Sequence, residues 1–538
     1  NGAGIARDAA GRGLSVVLCE KDDLGQGTSS RSGKLVHGGL RYLEYFEFRL
    51  VREALIEREV LMKNAPHIIW PMRFVLPHSP QDRPAWLVRL GLFLYDHLGG
   101  RRKLPGTRTL DLHRDPEGAA IKDQYRRGFE YSDCWVDDAR LVVLNAVDAA
   151  ERGATVLTRQ PCTSARREGN RWRVTTQNTV TGKTREFEAR LLINAAGPWV
   201  TDVVTRVAGS NSPRKVRLVK GSHIIVPKFW KGENAYLVQN HDKRVIFVNP
   251  YERDKALIGT TDIAYDGRAE DVQADETEVQ YLIDAVNRYF KEQLTRDDVL
   301  TTFSGVRPLF DDGRGNPSAV TRDYVFDIDE TGGAPLLNIF GGKITTFREL
   351  AERGLHRIGK YFPQMGGDWT EAAPLPGGDI LLGFLSGQLA GSGAGDPWYD
   401  ALAKPEFQPD PSLFPIVWSI LYVMMGLALA LVCSAWGAKG RGIAIVAFLI
   451  QFALNLGWSP LFFGQHEITY AFYLMIALSV MIFLTIVLFF RVRKMAAVLL
   501  IPYFAWALFA TYLNYEIMQL NPEADGSDTT GAVQRIDL

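Results

Sequence analysis

The 538-residue chain carries 61 lysines plus arginines against 61 aspartates plus glutamates, a formal net charge of zero. That balance excludes a nucleic-acid binder working through bulk electrostatics, and the length calls for more than one domain. The average hides two regimes: residues 1 to about 380 hold nearly all the charges, and 412–520 are dominated by long apolar runs. The four cysteines, Cys19, Cys134, Cys162 and Cys433, are scattered without CxxC or metal-ligand spacing. Simple burial or a reducing compartment is expected, and no metal site.

The chain opens NGAGIARDAAGRGLSVVLCE. Ala3, Ile5, Ala6, Ala9 and Ala10 give a small apolar helix face, Gly11 and Gly13 end it, and Leu14–Cys19 reads as a buried strand closed by Glu20. This is the back half of a dinucleotide-binding βαβ unit, whose third glycine lets helix and strand pack closely and whose acid, ~20 residues on, accepts hydrogen bonds from a ribose. Gly2 takes the place of that glycine and Glu20 that of the acid. The first two glycines and the strand before them are not in the sequence, so it is expected to start inside the motif, as a fragment or an imperfect gene model. Thr28–Tyr42, TSSRSGKLVHGGLRY, follows. It is too polar and glycine-rich for a core helix or strand, and suits a loop whose backbone approaches a bound anion or ring system.

Phe46–Ala65 is an amphipathic helix with Arg and Glu pairs at helical spacing. Gly128–Leu141, GFEYSDCWVDDARL, reads as a strand running into a helix capped by Asp137 or Asp138. Arg171–Thr176 and Thr184–Glu188 flank Thr181-Gly182 as a β-hairpin. Ala189–Val200, ARLLINAAGPWV, is a buried strand ending in a tight turn, the kind that re-enters the nucleotide sheet beneath the cofactor in two-domain flavoproteins. KGSH (220–223) opens a strand over His223–Val226, and GTTD (259–262) ends another. SGVRPL (304–309), TRDY (321–324) and FGGKITTF (340–347) follow. The last ends a strand, turns on two glycines and starts a helix through Arg357, whose N-terminus would stabilise negative charge on a reduced isoalloxazine.

In this order these motifs resemble the bacterial FAD-dependent, membrane-associated glycerol-3-phosphate dehydrogenases over roughly residues 1–379, and the family's helical C-terminal domain is missing after Leu375-Pro376-Gly377-Gly378. The resemblance implies an α/β FAD-binding domain of the Rossmann-like, glutathione-reductase type with an antiparallel-sheet substrate domain. It implies oxidation of sn-glycerol 3-phosphate to dihydroxyacetone phosphate, electrons passing to a membrane quinone, and it leaves a homodimer open. The residues expected at FAD are Gly2, Glu20, Thr28, Ser29, Ser30, Lys34, His37, Gly38, Gly197, Trp199, Gly342, Lys343 and Thr345.

Oxidising a secondary alcohol beside a phosphate needs cations for the phosphate, a base for the hydroxyl and a hydride acceptor. Arginine matches paired phosphate oxygens, which makes Arg41, Arg307 and Arg322 the candidates, with Lys343 near the flavin. His223 is the first candidate base, because imidazole titrates near neutral pH. His37 is the second, or else a packing partner of the flavin. The resemblance adds Tyr42, with Arg307, as a substrate contact. An FAD oxidase using oxygen is the alternative on the same fold.

Beyond Leu413 four uncharged apolar segments follow, Leu413–Trp436, Gly442–Phe463, Ile468–Phe490 and Met495 to about Ile517, each near or above the ~20 residues that cross a bilayer as a helix. WYDALAKPEFQP, FPIVWSILY, ALNLGWSPLFF and PYFAWALFATYLN resemble the tryptophan-rich sensory protein or translocator protein (TspO/MBR) family over about 381–522. That implies an all-α transmembrane bundle fused to the flavoprotein, in the bacterial inner membrane, binding porphyrins or similar hydrophobic ligands through Trp418, Tyr422, Asn455, Trp458, Trp506 and Asn514. The first family helix is short, apolar only over Leu381–Leu389, so residues 380–411 form the junction, 412–522 the helices and 523–538 a polar tail. Lys439, Arg441, Arg491, Arg493 and Lys494 place their loops, and with a spanning first helix the catalytic part, on the cytoplasmic side. The alternative function is a membrane tetrapyrrole or sterol sensor or transporter with a non-functional flavoprotein fragment.

Overall fold

The computed structural model describes the chain except residues 80–82, 101–102, 211, 213, 312–322, 379–397, 400–401, 411–412, 434, 436–437, 439 and 527–538. Arg322, the short apolar stretch 381–389 and most of the polar tail therefore lie outside the described residues. The chain divides into two units, Asn1–Gly378 and Asp379–Leu538.

The first unit is built on a ten-stranded, largely antiparallel sheet. Its order runs Ile263–Ala264, Val216–Pro227, Lys255–Gly259, Val245–Tyr251, Ala235–Gln239, Ile69–His78, Arg127–Val136, Leu35–Val36, with Thr301–Phe310 also paired to Val216–Pro227 and Arg108–Asp111 to Arg127–Val136. Apolar residues recur at helical spacing in Glu276–Tyr289, so Val279, Leu282, Ile283 and Val286 pack on Ile224, Val226, Val238, Val248 and Ile258. Asp275 and Glu278 close a capping box at that helix's start. Each such fully buried aliphatic contributes about 1.5–3 kcal/mol relative to exposure.

The nucleotide-binding side is in two pieces among the described residues. Val17–Cys19 pairs in parallel with Thr155–Leu157, and Leu192–Asn194 pairs in parallel with Leu336–Phe340, which also holds Val325–Asp329. Helices Gly2–Gly11 and Phe347–Ile358 pack together so closely that a Cβ on Gly4 would lie 2.6 Å from the Phe347 ring. Both strands are shorter than the expected Leu14–Cys19 and Ala189–Val200, and neither is a buried core strand, Val17 being 43% exposed. The reason is local: Val17, Leu18, Leu192 and Ile193 border one large cavity. The expected hairpin gains a third strand, Cys162–Glu168, and turns Trp172 inward to complete burial.

Thr28–Tyr42 is a loop with 3-10 turns at Thr28–Ser30 and Leu40–Tyr45, but it does contain a core strand. Leu35–Val36, both buried, pair with Trp135 and Cys134 at the sheet edge. Two adjacent apolar residues suffice there because the sheet supplies the hydrogen-bond partners. The expected helix is found at Phe48–Asn64.

In the second unit, helices Leu413–Cys433, Arg441–Ser459, Ile468–Val492 and Lys494–Leu520 pack around Met425, Ala428, Phe448, Met475, Ile482, Phe489 and Tyr503. Three of these helical stretches, Arg441–Gly464, Ile468–Val492 and Lys494–Leu520, are long and apolar enough to cross a membrane. Along Leu413–Cys433 the described apolar stretch is the shorter Ile420–Cys433. Ile443, Val446, Val480, Phe483 and Ile501 point outward and exposed, the inverse of a water-soluble bundle and suited to a lipid solvent.

Helices Phe48–Asn64 and Phe347–Ile358 are joined by a buried bidentate pair, Arg348 Nε to Glu57 Oε2 at 2.9 Å and Arg348 Nη2 to Glu57 Oε1 at 2.5 Å. Arg348→Ala strands the Glu57 carboxylate and is expected to destabilise the first unit by about 3–5 kcal/mol, whereas Arg348→Met with Glu57→Leu costs far less. Proteolysis midpoints of the 1–378 unit in urea measure both.

Candidate active site

A cavity of about 1540 Å³ runs from the start of helix Gly2–Gly11 and Glu20, past Thr28 and Ser29, to Gly39–Tyr42, His223, Arg307 and Gly341–Thr345. Of the residues expected at cofactor or substrate, Gly2, Glu20, Thr28, Ser29, His37, Arg41, Tyr42, Gly197, Trp199, His223, Arg307, Gly342, Lys343 and Thr345 line it. Ser30, Lys34 and Gly38 do not. Lys34 Nζ instead reaches Asp138 Oδ1 at 2.7 Å. Gly38 faces the core, where a Cβ would sit 2.4 Å from Leu55. Ser30 turns its backbone N–H to Gly25 O at 3.1 Å.

The substrate end is a property of strand register. Gly221 pairs with Gly305, and His223 with Gly259 on one side and Phe303 on the other. A Cβ on Gly259 would meet His223 Cδ2 at 2.1 Å, and one on Gly221 would meet Arg307 Nη2 at 3.0 Å. Side-chain-free positions thus make room for the imidazole and the guanidinium over the sheet. His223 stacks on Phe303 with ring centroids 4.8 Å apart, and neither ring nitrogen has a hydrogen-bond partner among the described residues. Burial, then the Arg307 and Lys34 charges, holds its pKa down at about 3. The imidazole is therefore neutral and able to accept a proton. His37 is also held to about 3, by burial and then by Lys343, Arg58 and Arg307.

Arg307 donates through Nη1 to Asp262 Oδ1, and Arg41 Nη1 lies 3.9 Å from Asp262 Oδ2. Lys343 lies over the Tyr42 ring at 5.2 Å. The loop carrying His37 to Tyr42 is fastened from beneath. Asp133 accepts from Gly38 N at 3.3 Å, from Tyr95 Oη at 2.8 Å and from Arg58 Nη1 at 2.7 Å. Thr28 Oγ1 donates to Val306 O at 2.8 Å, and His37 N to Thr345 Oγ1 at 3.3 Å. At the far end, burial pushes the Glu20 carboxyl up, opposed by the Asp22 N–H at 3.0 Å. Trp199 borders the cavity with its indole N–H on Glu270 and Lys21 over its ring.

Sequence reasoning missed Asp262, Asp133 and Asp138. Asp138 was open as a helix cap, yet Asp137 caps the helix, accepting from Arg140 N at 3.3 Å, and Asp138 instead holds Ser32 and Lys34. The signal was present, as acids inside the GTTD and SDCWVDD motifs, but their partners are distant in sequence. Among the described residues no His, Cys, Asp or Glu group is disposed to hold a metal.

Inside the helical unit, Tyr422 Oη donates to Asn455 Oδ1 at 2.9 Å, Asn455 Nδ2 to Tyr503 Oη at 3.0 Å, and Tyr503 Oη to Gln451 Oε1 at 2.9 Å. Trp458 Nε1 donates to Asn514 Oδ1 at 3.0 Å. Trp418 packs on Tyr422 and Tyr503, and Trp506 on Phe414 and Phe509. All six expected ligand residues are thus interior or helix-contacting. Gln451 and Tyr503 were not anticipated.

Residues 1–348 match the family model for FAD dependent oxidoreductases, and residues 378–520 match the TspO/MBR family. The chain is 82% identical over 380 residues, 71% of this chain and 76% of the relative, to D-erythritol 1-phosphate dehydrogenase of Brucella abortus (strain 2308). It is 54% identical over 381 residues, 71% of this chain and 75% of the relative, to aerobic glycerol-3-phosphate dehydrogenase of Escherichia coli (strain K12). The FAD-complexed glycerol-3-phosphate dehydrogenase structure from Bacillus halodurans is similar in fold, with a TM-score of 0.57 at 22% identity, covering 98% of this chain and 94% of that one.

The lowered His223 pKa has a stability consequence. A folded value of about 3 lies below the ordinary imidazole value of 6.5, so between them the unfolded chain binds more protons and stability falls as pH drops through that window. The unfolding midpoint of His223→Asn is expected to fall less between pH 6.5 and 4 than that of the wild type. Parallel curves would place the acid sensitivity elsewhere.

Proposed function

As the chain belongs to the FAD-dependent oxidoreductase family, with a TspO/MBR-type membrane region after it, we propose that it oxidises the secondary alcohol of a linear polyol phosphate. The reading rests above all on Arg41 and Arg307 converging beside a neutral His223 that has no hydrogen-bond partner among the described residues. The arginines take the phosphate, and the His223 imidazole accepts the hydroxyl proton as the carbonyl forms. FAD, when bound, supplies the two-electron acceptor. Glu20 and Gly2 at the ribose and phosphate end, Thr28, Ser29, Gly197 and Trp199 along the cavity, and His37, Gly342, Lys343 and Thr345 at the other end are the residues to hold it. Two observations support the fit: the free approach at Gly2, where a Cβ would meet nothing nearer than 3.6 Å, and the left-handed Gly341-Gly342 turn. A phosphate dianion on Arg307 offsets the charge that depresses the His223 pKa, so substrate binding makes the base stronger.

The 82% relative favours D-erythritol 1-phosphate, with sn-glycerol 3-phosphate as the shorter alternative. For the electron acceptor we favour a membrane quinone. Phe46, Phe48, Leu87 and Leu90 are both exposed and cavity-lining, an apolar approach suited to such a molecule. The basic loops with Arg441 and with Arg491, Arg493 and Lys494 are assigned to the cytoplasmic face. Anaerobic addition of either polyol phosphate should bleach the flavin of the holoprotein, D-erythritol 1-phosphate at lower concentration. Arg307→Gln should raise the half-saturating concentration by roughly 30- to 1,000-fold, the ~2–4 kcal/mol of a lost hydrogen-bonded charge contact. No bleaching by either compound would overturn the reading, and peroxide formation without quinone reduction would point to an oxidase.

For the membrane unit we infer a porphyrin-type ligand among Trp418, Tyr422, Asn455, Trp458, Trp506 and Asn514, where aromatic faces adjoin amide groups. Added porphyrin should quench tryptophan fluorescence, and less so in Trp458→Ala. Equal quenching in both would remove Trp458 from the site.

A further inference from the structure

We propose that Asp262 is an internal stand-in for the substrate phosphate, held between Arg307 and Arg41 and displaced when a phosphate ester binds. The idea rests on the polyol-phosphate reading above and adds a selectivity device to it.

Three elements meet at this carboxylate. Arg41 comes from the turn Leu40–Tyr45, Arg307 from strand Thr301–Phe310, and Asp262 from the segment following strand Lys255–Gly259. The two guanidinium groups approach different oxygens of one carboxylate, the geometry with which they would take two oxygens of a phosphate. All three side chains line the cavity, and they keep 25%, 31% and 11% exposure for Arg41, Arg307 and Asp262 respectively. They thus face the volume a ligand would enter.

The backbone beside Asp262 is pinned. Thr261 Oγ1 donates to the buried Glu278 Oε1 at 2.8 Å and accepts from Ser222 N at 2.9 Å. Lys220 Nζ lies 2.6 Å from Glu278 Oε2. Displacement is therefore a side-chain rotation on a fixed backbone. Beneath Arg307, Gly221 presents no side chain to obstruct re-aiming.

The alcohol decides which ligands succeed. A simple anion must compete with a tethered carboxylate and gains nothing else. A phosphate ester carries the charge of free phosphate and adds an alcohol that reaches His223, so it displaces Asp262 where free phosphate does so poorly. The latch keeps abundant inorganic anions off the arginines.

Inorganic phosphate titrated calorimetrically into the FAD-loaded full-length protein in detergent tests this without turnover. Asp262→Asn is expected to bind phosphate roughly tenfold more tightly than wild type, and Asp262→Glu to stay near wild type. Unchanged or weaker binding by Asp262→Asn overturns the latch and makes the carboxylate a bracket that positions the arginines. On wild-type protein, carbodiimide labelling of Asp262, read by peptide mass spectrometry, should rise once inorganic phosphate is raised to the saturating concentration found by calorimetry. Labelling that stays level or falls overturns the proposal even where the variants fail to fold. Because neither readout needs a reaction, a chain inert toward both polyol phosphates can still show the latch, and an active chain can lack it.

Discussion

The candidate site at His223 and Arg307 depends on side chains that are missing from three neighbouring strands. Gly221, Gly305 and Gly259 sit in register with one another or with His223, and a methyl group at Gly259 alone would overlap the imidazole at 2.1 Å. A sheet normally covers its own face with side chains at every second position. Here that covering is omitted at consecutive rungs, so two long polar side chains lie across the backbone and present their ends to a cavity. A one-residue slip of Thr301–Phe310 would exchange Arg307 for an inward apolar side chain. Register is therefore the chemistry's first requirement.

Given that register, the polar groups divide into those that hold the site and those that face it. Glu278 gathers Lys220, Ser222 and Thr261, while Asp133 gathers Arg58, Tyr95 and Gly38. Both acids are almost fully buried, where unpaired charge would be prohibitive and each partner accordingly has a fixed geometry. His223, by contrast, is just as buried and has no hydrogen-bond partner among the described residues. A native interior seldom leaves such a group unsatisfied unless something binds it. The contrast between the satisfied acids and the unsatisfied histidine is what separates scaffold from site.

This division explains what the sequence could and could not reveal. The motifs are local, and most of the polar residues in them reach the cavity: Thr28, His37, Arg41, Tyr42, His223, Arg307 and Lys343. Within TSSRSGKLVHGGLRY, however, chemistry alone does not say which polar residue turns inward. Lys34 is a plausible cofactor cation by type, but Asp138, 104 residues away, claims it. Gly38 and Gly39 look equivalent in sequence. Gly39 adopts a left-handed φ of 77° beside Tyr42, and Gly38 is a packing contact against Leu55. Asp262 was invisible as a site residue because its meaning lies in two arginines from other elements. The strands Val17–Cys19 and Leu192–Asn194 misled for the opposite reason: apolar runs read as buried, whereas here they wall a cavity.

The helical unit meets the same problem in a different solvent. Lipid offers no hydrogen bonds, so each interior amide must find its partner within the bundle. Asn455, and Gln451 through its carbonyl oxygen, do so through tyrosines of two other helices, Tyr422 and Tyr503, while Gln451 Nε2 has no hydrogen-bond partner among the described residues. Asn514 ties Trp458 and the Ile468 carbonyl, and Ser479 meets Thr511 at 3.2 Å, so six polar contacts join the four helices among the described residues. In the first unit the anion site is held by a charge that an incoming charge can replace. In the second, the amides are already bonded to aromatic hydroxyl and indole groups. A ligand entering there has to exchange those bonds for its own rather than simply fill a space, which favours ligands combining a broad apolar face with polar edges over plain hydrocarbons.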